Sequence, residues 1–338
     1  MTSKPRVWIS RPTFPDITAR LDAYFDVQVE PAEVVFTPVE LAAKITDCDA
    51  IIVGLKERIG AAEVAGAKRL RIVANLAVGY DNLDLAALSA AGIAASNTAD
   101  VLNESVADYT WALLLGAARR VSAAERWLRA GQWHATEFKS WLGMDLRGRT
   151  LGILGMGRIG QAIARRAAGF GMHVVYHNRS PLPAAVEHEC AAHYLDKNRL
   201  LRDADFLVLA LPLSADSRHA IGAAELALMK PTAVLVNIAR GGIVDDAALA
   251  AALAEGRLAA AALDVFEHEP AVHPRLLELD NVLLSPHIAS ASFDTRRAMT
   301  ALAVDNVLAL FGHGPHAGHP PTILNPDVLA NAGARSSS

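Results

Sequence analysis

Apolar residues along the chain keep two alternating rhythms. Short runs rich in Val, Ile and Leu are separated by alanine-rich stretches in which apolar side chains recur at helical spacing. Continuous apolar runs suit strands buried on both faces, and strands alternating with helices predict an α/β architecture with parallel sheets, since each parallel pair needs a crossover. In the first third, strands are predicted over 6–9, 27–29, 50–53, 72–75 and 93–95, with helices between them. A helix over 104–120 puts Ala107, Trp111, Leu114 and Leu115 on one apolar face and finishes in Arg119 and Arg120, as the helix dipole favours. It reads as a connector. Strands recur over 150–154, 173–177, 206–211, 233–237, 260–264 and 282–285, and a helix over 293–310 follows. About a hundred residues precede the domain that begins with the 104–120 helix and holds these strands, and about fifty follow it, so the last helix is expected to return to the first domain. A Gly-, His- and Pro-rich tail ends the chain and is expected to be disordered.

Composition supports this division. With 338 residues, 52% hydrophobic and 20% charged, the chain can bury two cores. A net charge of −4 leaves no global basic field, which argues against nucleic acid as a partner and for small molecules. Cys48 and Cys190 are too few for a disulfide scaffold or a cysteine-built metal site, so both are read as core residues in a reducing compartment and no metal is expected. Charged residues 1–6 are followed by only a short apolar run, and the greasy stretches near 111–115 and 206–213 are too short to span a bilayer. A cytoplasmic protein without membrane partners is expected.

The run 151–154 reads as a buried strand, Gly155-Met156-Gly157-Arg158-Ile159-Gly160 follows at once, and 161–170 reads as a helix. Gly155 permits a tight turn, Gly157 lets backbone approach a pyrophosphate, and Gly160 allows close helix-on-strand packing; free amides at the helix start receive phosphate oxygens. The strand, loop and helix context favours a dinucleotide site over a glycine-rich turn with a packing role. Six strands from this loop onward are expected to complete a Rossmann sheet. The second strand ends in His177-Asn178-Arg179-Ser180, where NAD-preferring sites carry an acid for the ribose hydroxyl. No acid stands there. Arg179 suits a 2′-phosphate, with Ser180 and Asn178 as donors, so NADP is expected, with NAD as the alternative if Arg179 is only a solvated loop charge.

Three further segments each follow a predicted strand: Val236-Asn237-Ile238-Ala239-Arg240-Gly241, Leu263-Asp264-Val265-Phe266-Glu267-His268-Glu269-Pro270 and Ser285-Pro286-His287-Ile288-Ala289-Ser290. Ligands bind at the carboxyl edge of open α/β sheets, so Arg240, Glu269 and His287 are candidates to converge. A cation with a nearby proton donor suits a reaction in which negative charge grows on a substrate oxygen. A carboxylate beside an imidazole favours the imidazolium, so Glu269 would keep His287 ready to donate at neutral pH. Arg240 can grip a carboxylate in bidentate fashion without losing its charge.

Together with Asn75-Leu76-Ala77-Val78-Gly79-Tyr80-Asp81-Asn82, these segments closely resemble the D-2-hydroxyacid dehydrogenase family, in particular its glyoxylate/hydroxypyruvate reductase and 2-ketogluconate reductase branch. The likeness runs from about residue 45 to 310. It implies reduction of small 2-keto acids to D-2-hydroxy acids, with glyoxylate and hydroxypyruvate first and 2-ketogluconate next, and with Arg179 the expected hydride donor is NADPH. It implies two doubly wound parallel-sheet domains: a flavodoxin-like substrate domain of residues 1–102 plus 290–338, and an NAD(P)-binding Rossmann domain of residues 103–289 inserted in it. In the family's pattern Arg240 holds the substrate, His287 is the acid/base, Glu269 is its partner and Asp264 borders the nicotinamide. The amides of Val78 and Gly79, and Ser290, would bind substrate; Arg158, Ile159, Gly160, Arg179, Ser180, Pro212, Ile238 and Asp264 would contact cofactor.

The match has departures and rivals. Ala289 stands where the family often has Gly, and Ala77 where it often has Gly or Ser; both changes bear on pocket shape. Glu267 competes with Glu269 for His287, but only Glu269 directly precedes Pro270 as in the family. The other eleven histidines are read as solvated. Trp141 matches a tryptophan that in the resembling reductases approaches a partner subunit, which implies a homodimer; the alternative is packing within its own domain. Lys56 and Arg58, in the first-domain loop 54–58, are candidates for a polar substrate tail or are solvated charges. Rival activities are phosphite or formate dehydrogenation and, outside catalysis, a nucleotide-sensing scaffold like the corepressors that share this fold.

Overall fold

The computed structural model describes residues 3–136 and 138–330, so the end of the tail lies outside the described residues. The chain folds as two compact units, Met1–Leu102 with Ser292–Ser338, and Asn103–Ala291.

In the first unit, β1 (Arg6–Ile9), β2 (Asp26–Val29), β3 (Ala50–Val53), β4 (Ile72–Asn75) and β5 (Ala94–Ser96) form an all-parallel sheet in the order β2-β1-β3-β4-β5. This is the flavodoxin-like order. Every residue of β3 and β4 is buried, as expected of strands covered on both faces. The period of two sorts them between two cores. Trp8, Ile51 and Val73 join Leu41, Ile45 and Leu88 on one face. Val7, Ile9, Ile52, Ile72 and Ala74 join Val304, Val307 and Leu308 of the helix Phe293–Leu310 on the other. Ser292 caps that helix by accepting from the Thr295 amide. On edge strand β5, Asn325 accepts from Ala95 N at 2.8 Å and donates to Ile93 O at 3.0 Å, so a C-terminal segment covers backbone that would otherwise lie open.

The second unit holds β6 (Thr150–Leu154), β7 (His173–His177), β8 (Ala192–Tyr194), β9 (Phe206–Leu209), β10 (Val234–Asn237), β11 (Ala260–Leu263) and β12 (Val282–Leu284). All pair in parallel, in the order β12-β11-β10-β9-β6-β7-β8. Seven strands stand where six were expected. The addition, β8, is a three-residue edge strand, Ala-His-Tyr, with no apolar run to announce it. β9 stops at Leu209, ahead of Pro212, rather than running to 211.

The first helix of this unit is Asn103–Ala118, ending before Arg119 and Arg120. Arg120 adopts a left-handed backbone, φ 54°, and a new helix, Val121–Arg129, starts after it. The expected single apolar face is too narrow a description. Val106, Trp111, Leu113, Leu114 and Ala117 are all buried, Leu115 only partly, because the helix lies against Arg158–Ala167 on one side and against β10, β11 and β12 on another. It is a layer of the second unit rather than a bare connector. Trp111 stacks on Phe170 and donates its Nε1–H to Ile163 O at 3.1 Å. The strand order reverses between β6 and β9, and at such a reversal the crossovers leave to opposite faces, opening a crevice at the carboxyl ends.

Candidate active site

The glycine loop leaves β6 at this reversal. Gly155 has φ 100°, and a side chain there would come within 2.7 Å of the Ala210 carbonyl, so both conformation and space require glycine. Gly160 lies in the first turn of helix Arg158–Ala167, where a Cβ would fall 2.5 Å from the Gly155 carbonyl oxygen. Gly157 differs: a Cβ there meets nothing within 4 Å. No contact within the chain demands that glycine, which fits open backbone at the end of a ten-residue helix awaiting an anion. Gly157 and Arg158 are exposed, Ile159 is half-buried, and Pro212 borders the crevice from the β9 side with its carbonyl accepting from Ser217 Oγ. The residues present therefore fit a dinucleotide.

After β7, Asn178 turns its Oδ1 onto the Met156 amide at 2.7 Å and so braces the glycine loop, leaving only its Nδ2 as a donor. Arg179 and Ser180 are exposed, and among the described residues no carboxylate pairs with Arg179.

The ends of β10, β11 and β12 supply the titratable groups. His287 Nδ1 donates to Glu269 Oε2 at 2.8 Å, and Glu269 Oε1 accepts from the Phe266 amide at 3.0 Å, so both carboxylate oxygens are engaged. Burial pushes the Glu269 carboxyl up, but the hydrogen bond and charge of His287, the Phe266 amide and the charge of Arg240 outweigh it and hold the group below its ordinary value. The positive field of Arg240 thus reaches the carboxylate that holds His287. Arg240 follows β10 and Ile238; its Nη1 donates to Ala239 O at 2.8 Å, while Asn237 donates to its carbonyl and accepts from Ala239 N. Gly241 is pressed against the Phe266 carbonyl with no room for a Cβ, which fixes the Arg240 loop beside the Glu269 loop.

Asp264 is fully buried at the end of β11. It accepts from Ser285 Oγ at 2.6 Å, Ile288 N at 2.9 Å and Ala289 N at 2.8 Å. Expected at the edge of the cofactor, it directs both oxygens to the turn that carries His287, whose φ of 55° needs such support. Ser290, half-buried, closes the same turn.

In the first unit, the loop after β4 is organised by amides the sequence does not advertise. Asn97 donates to Val78 O at 2.8 Å and Asn75 to Gly79 O at 2.9 Å, while Asn82 donates to Gly54 O and Glu57 O. With the carbonyls so engaged, the Val78 and Gly79 N–H groups make no hydrogen bond among the described residues. Asn75 and Asn82, at either end of the Val-Gly stretch, were the available signal. Lys56 faces Glu33 at 4.0 Å, Arg58 is exposed, and Glu57 is buried against Arg11 and the Gly54 amide.

Of the two rival acids, Glu269 holds His287, while Glu267 Oε1 lies 2.6 Å from His219 Nε2. His219 is therefore not simply solvated, nor are all its fellows: His177 Nδ1 lies 2.8 Å from Leu195 O, and His313 stacks on Tyr24. The solvated reading failed because their partners are remote in sequence. Trp141 packs on Trp127 and under the Arg120 guanidinium of its own chain. Among the described residues no cluster of three or more His, Cys, Asp or Glu side chains could hold a metal ion, and no helix is long and apolar enough to cross a membrane.

Residues 111–289 match the family model described as D-isomer specific 2-hydroxyacid dehydrogenase, NAD binding domain. The chain is 46% identical to the glyoxylate reductase of Thermococcus gammatolerans over 96% of this chain and 97% of that protein. It is 45% identical to the glyoxylate reductase of Aeropyrum pernix, again over 96% and 97%. Among solved structures it is similar to the NADPH-dependent glyoxylate/hydroxypyruvate reductase of Sinorhizobium meliloti in complex with NADP and malonate, with a TM-score of 0.84, 37% identity, and 95% and 97% of the two chains covered.

Proposed function

Because the chain belongs to the D-isomer specific 2-hydroxyacid dehydrogenase family and is an oxidoreductase of that kind, we propose that it reduces small 2-keto acids to D-2-hydroxy acids, with NADPH preferred over NADH. Glyoxylate and hydroxypyruvate come first as substrates and 2-ketogluconate next. The observation that carries this reading is the His287–Glu269 pair under the field of Arg240, in the unit that also holds the glycine loop.

Residues 103–289 take the cofactor: Gly155, Gly157 and Gly160 admit the pyrophosphate, and Arg158, Ile159, Pro212 and Ile238 border it. Arg179 and Ser180, exposed where NAD-preferring sites have an acid, favour a 2′-phosphate, and Asn178 contributes its remaining amide. When bound, the reduced nicotinamide supplies the hydride. Arg240 grips the substrate carboxylate and draws the charge that grows on the carbonyl oxygen. Since Glu269 holds Nδ1, the Nε2 of His287 is the nitrogen that delivers a proton to that oxygen. The undonated amides of Val78 and Gly79, and the Ser290 hydroxyl, bind substrate; residues 1–102 and 290–338 form the substrate domain. Val121, Leu128, Trp133, Phe138 and Leu142 are exposed apolar side chains between residues 121 and 142, and they suit a homodimer. A cytoplasmic setting, with its NADPH pool, favours the reductive direction.

Steady-state oxidation of NADPH and NADH at equal concentration, with each of the three keto acids, tests the reading. NADPH with glyoxylate or hydroxypyruvate is expected to lead, and His287→Ala is expected to lose on the order of 10²–10⁴ in kcat with binding less affected. A clear NADH preference refutes the cofactor assignment, and no turnover with any acid refutes the reductase.

A further inference from the structure

A second imidazole–carboxylate pair ties the loop carrying Glu269 to the loop carrying Arg240. Glu267, with a side chain only 13% exposed, places Oε1 2.6 Å from His219 Nε2, with Arg218 at 3.6 Å. On its other side it exchanges hydrogen bonds with buried Asp246: the Glu267 amide donates to Asp246 Oδ2 at 3.1 Å, and the Asp246 amide donates to Glu267 Oε2 at 3.4 Å. The neighbouring Phe266 amide is the one that donates to Glu269. Two consecutive amides are thus held, one by Asp246 and one by Glu269.

His219 reaches the Arg240 loop as well. Its backbone N–H donates to Gly242 O at 2.7 Å, and the contact continues through Ile221 N to Ile243 O and Asp245 N to Ile221 O, both 3.0 Å. Gly241 between them abuts the Phe266 carbonyl. His219 also sits at φ 50°, a backbone region unfavourable to a side chain, at a position where its imidazole is 40% exposed. Burial within a core does not force it there; its two partners do.

We propose that His219, Glu267 and Asp246 form a brace that sets the Glu269 carboxylate on His287 and keeps the Arg240 loop in register with it. This rests on the reading that Arg240, Glu269 and His287 carry the chemistry. Glu267 and His219 are then positioning residues, acting through Glu269. The other charges facing the brace are Arg218 on Glu267, and His268 and His273 on Asp246, whose carboxyl is raised by burial and by the charge of Glu267 against the Glu267 amide and the two histidines.

The test is kinetics across pH, with thermal melting, of the full chain and of Glu267→Gln, His219→Ala, His219→Gln, Glu269→Gln and the double variant Glu267→Gln/Glu269→Gln, using glyoxylate and NADPH. Glu267→Gln and His219→Ala are expected to lower kcat about ten-fold, leave the cofactor KM unchanged and move the alkaline limb of the pH–rate profile to lower pH. His219→Gln, which keeps an N–H donor, recovers most of the loss. In the Glu269→Gln background, Glu267→Gln costs less than about two-fold, because the group it positions is gone. Equal losses with and without Glu269, or a silent Glu267→Gln beside a disabled Glu269→Gln, overturn the brace and leave the dyad standing. A fully active Glu269→Gln overturns the dyad reading itself, and the brace with it.

Discussion

Replacing Asp264 by Asn removes one charge and almost no volume, yet it strikes the turn that presents His287. The carboxylate accepts three bonds, from Ser285 Oγ and Ile288 N on one oxygen and from Ala289 N on the other. An amide can satisfy only one side. Its oxygen is best left with Ser285 and Ile288, which turns its NH₂ group toward the Ala289 N–H, donor against donor, at a residue only 6% exposed. The stranded donor costs about 1–3 kcal/mol, and loss of charge on the two remaining bonds costs about 1 kcal/mol more, so about 2–4 kcal/mol in all. For a unit the size of Asn103–Ala291, that corresponds to a fall in Tm of roughly 5–15 °C. Because the turn holds His287 at φ 55°, its relaxation moves the imidazole away from Glu269, and kcat is expected to fall by about ten- to a hundred-fold. Calorimetry and steady-state kinetics on the same preparation read both effects. A Tm within about 2 °C of wild type together with an unchanged kcat would refute the reasoning, since the three bonds would then carry neither stability nor geometry.

The glycine loop offers a paired test. Gly160→Ala drives a Cβ against the Gly155 carbonyl and should cost about 1–3 kcal/mol of stability along with cofactor affinity, whereas Gly157→Ala, with open space around it, should keep Tm and weaken only the cofactor Kd; equal Tm values for both variants would contradict this. Acid should expose the state of Glu269. Its carboxyl is held below its ordinary value, so the stability it contributes is fully present above the unfolded-state value, near pH 4.5, and disappears as pH falls through the lower folded value. The Tm gap between wild type and Glu269→Gln is therefore expected to stay wide from about pH 5 to 7 and to close in stronger acid; a gap that grows toward acid would show that the folded protein prefers the protonated carboxyl.

What was legible in the sequence was local. The run 151–154, the three glycines and the following helix lie within a few residues of one another, and Gly155 and Gly160 have steric reasons to be where they are. The central strands declared themselves because burial on both faces leaves no polar alternation to confuse them. β8 did not, since an edge strand of three residues needs no apolar run, and Arg120 ended its helix in a conformation that arginine seldom adopts. The choice between Glu267 and Glu269 could be made from the proline that follows Glu269, but the partner of Glu267 could not be foreseen. His219 lies 48 residues away, and only the folding of the Arg240 loop against the Phe266 carbonyl brings the two together.

The unforeseen features share one physical device. The candidate functional residues sit mostly in loops at the carboxyl ends of strands, where no ladder or helix fixes the backbone, and each loop is instead held by a buried or half-buried polar side chain bonded to its peptide groups. Asp264 holds the amides of Ile288 and Ala289, Asp246 that of Glu267, Asn178 that of Met156 and Glu57 that of Gly54, while Asn75 and Asn97 hold the carbonyls of Gly79 and Val78. A buried carboxylate or carboxamide left unmatched is costly, so each such bond rigidifies its loop about as firmly as a secondary-structure bond would. Sequence patterns report periodicity, and these contacts have none. The side chains that touch substrate can be read from their chemistry, whereas those that hold them in place become visible only when the chain is folded.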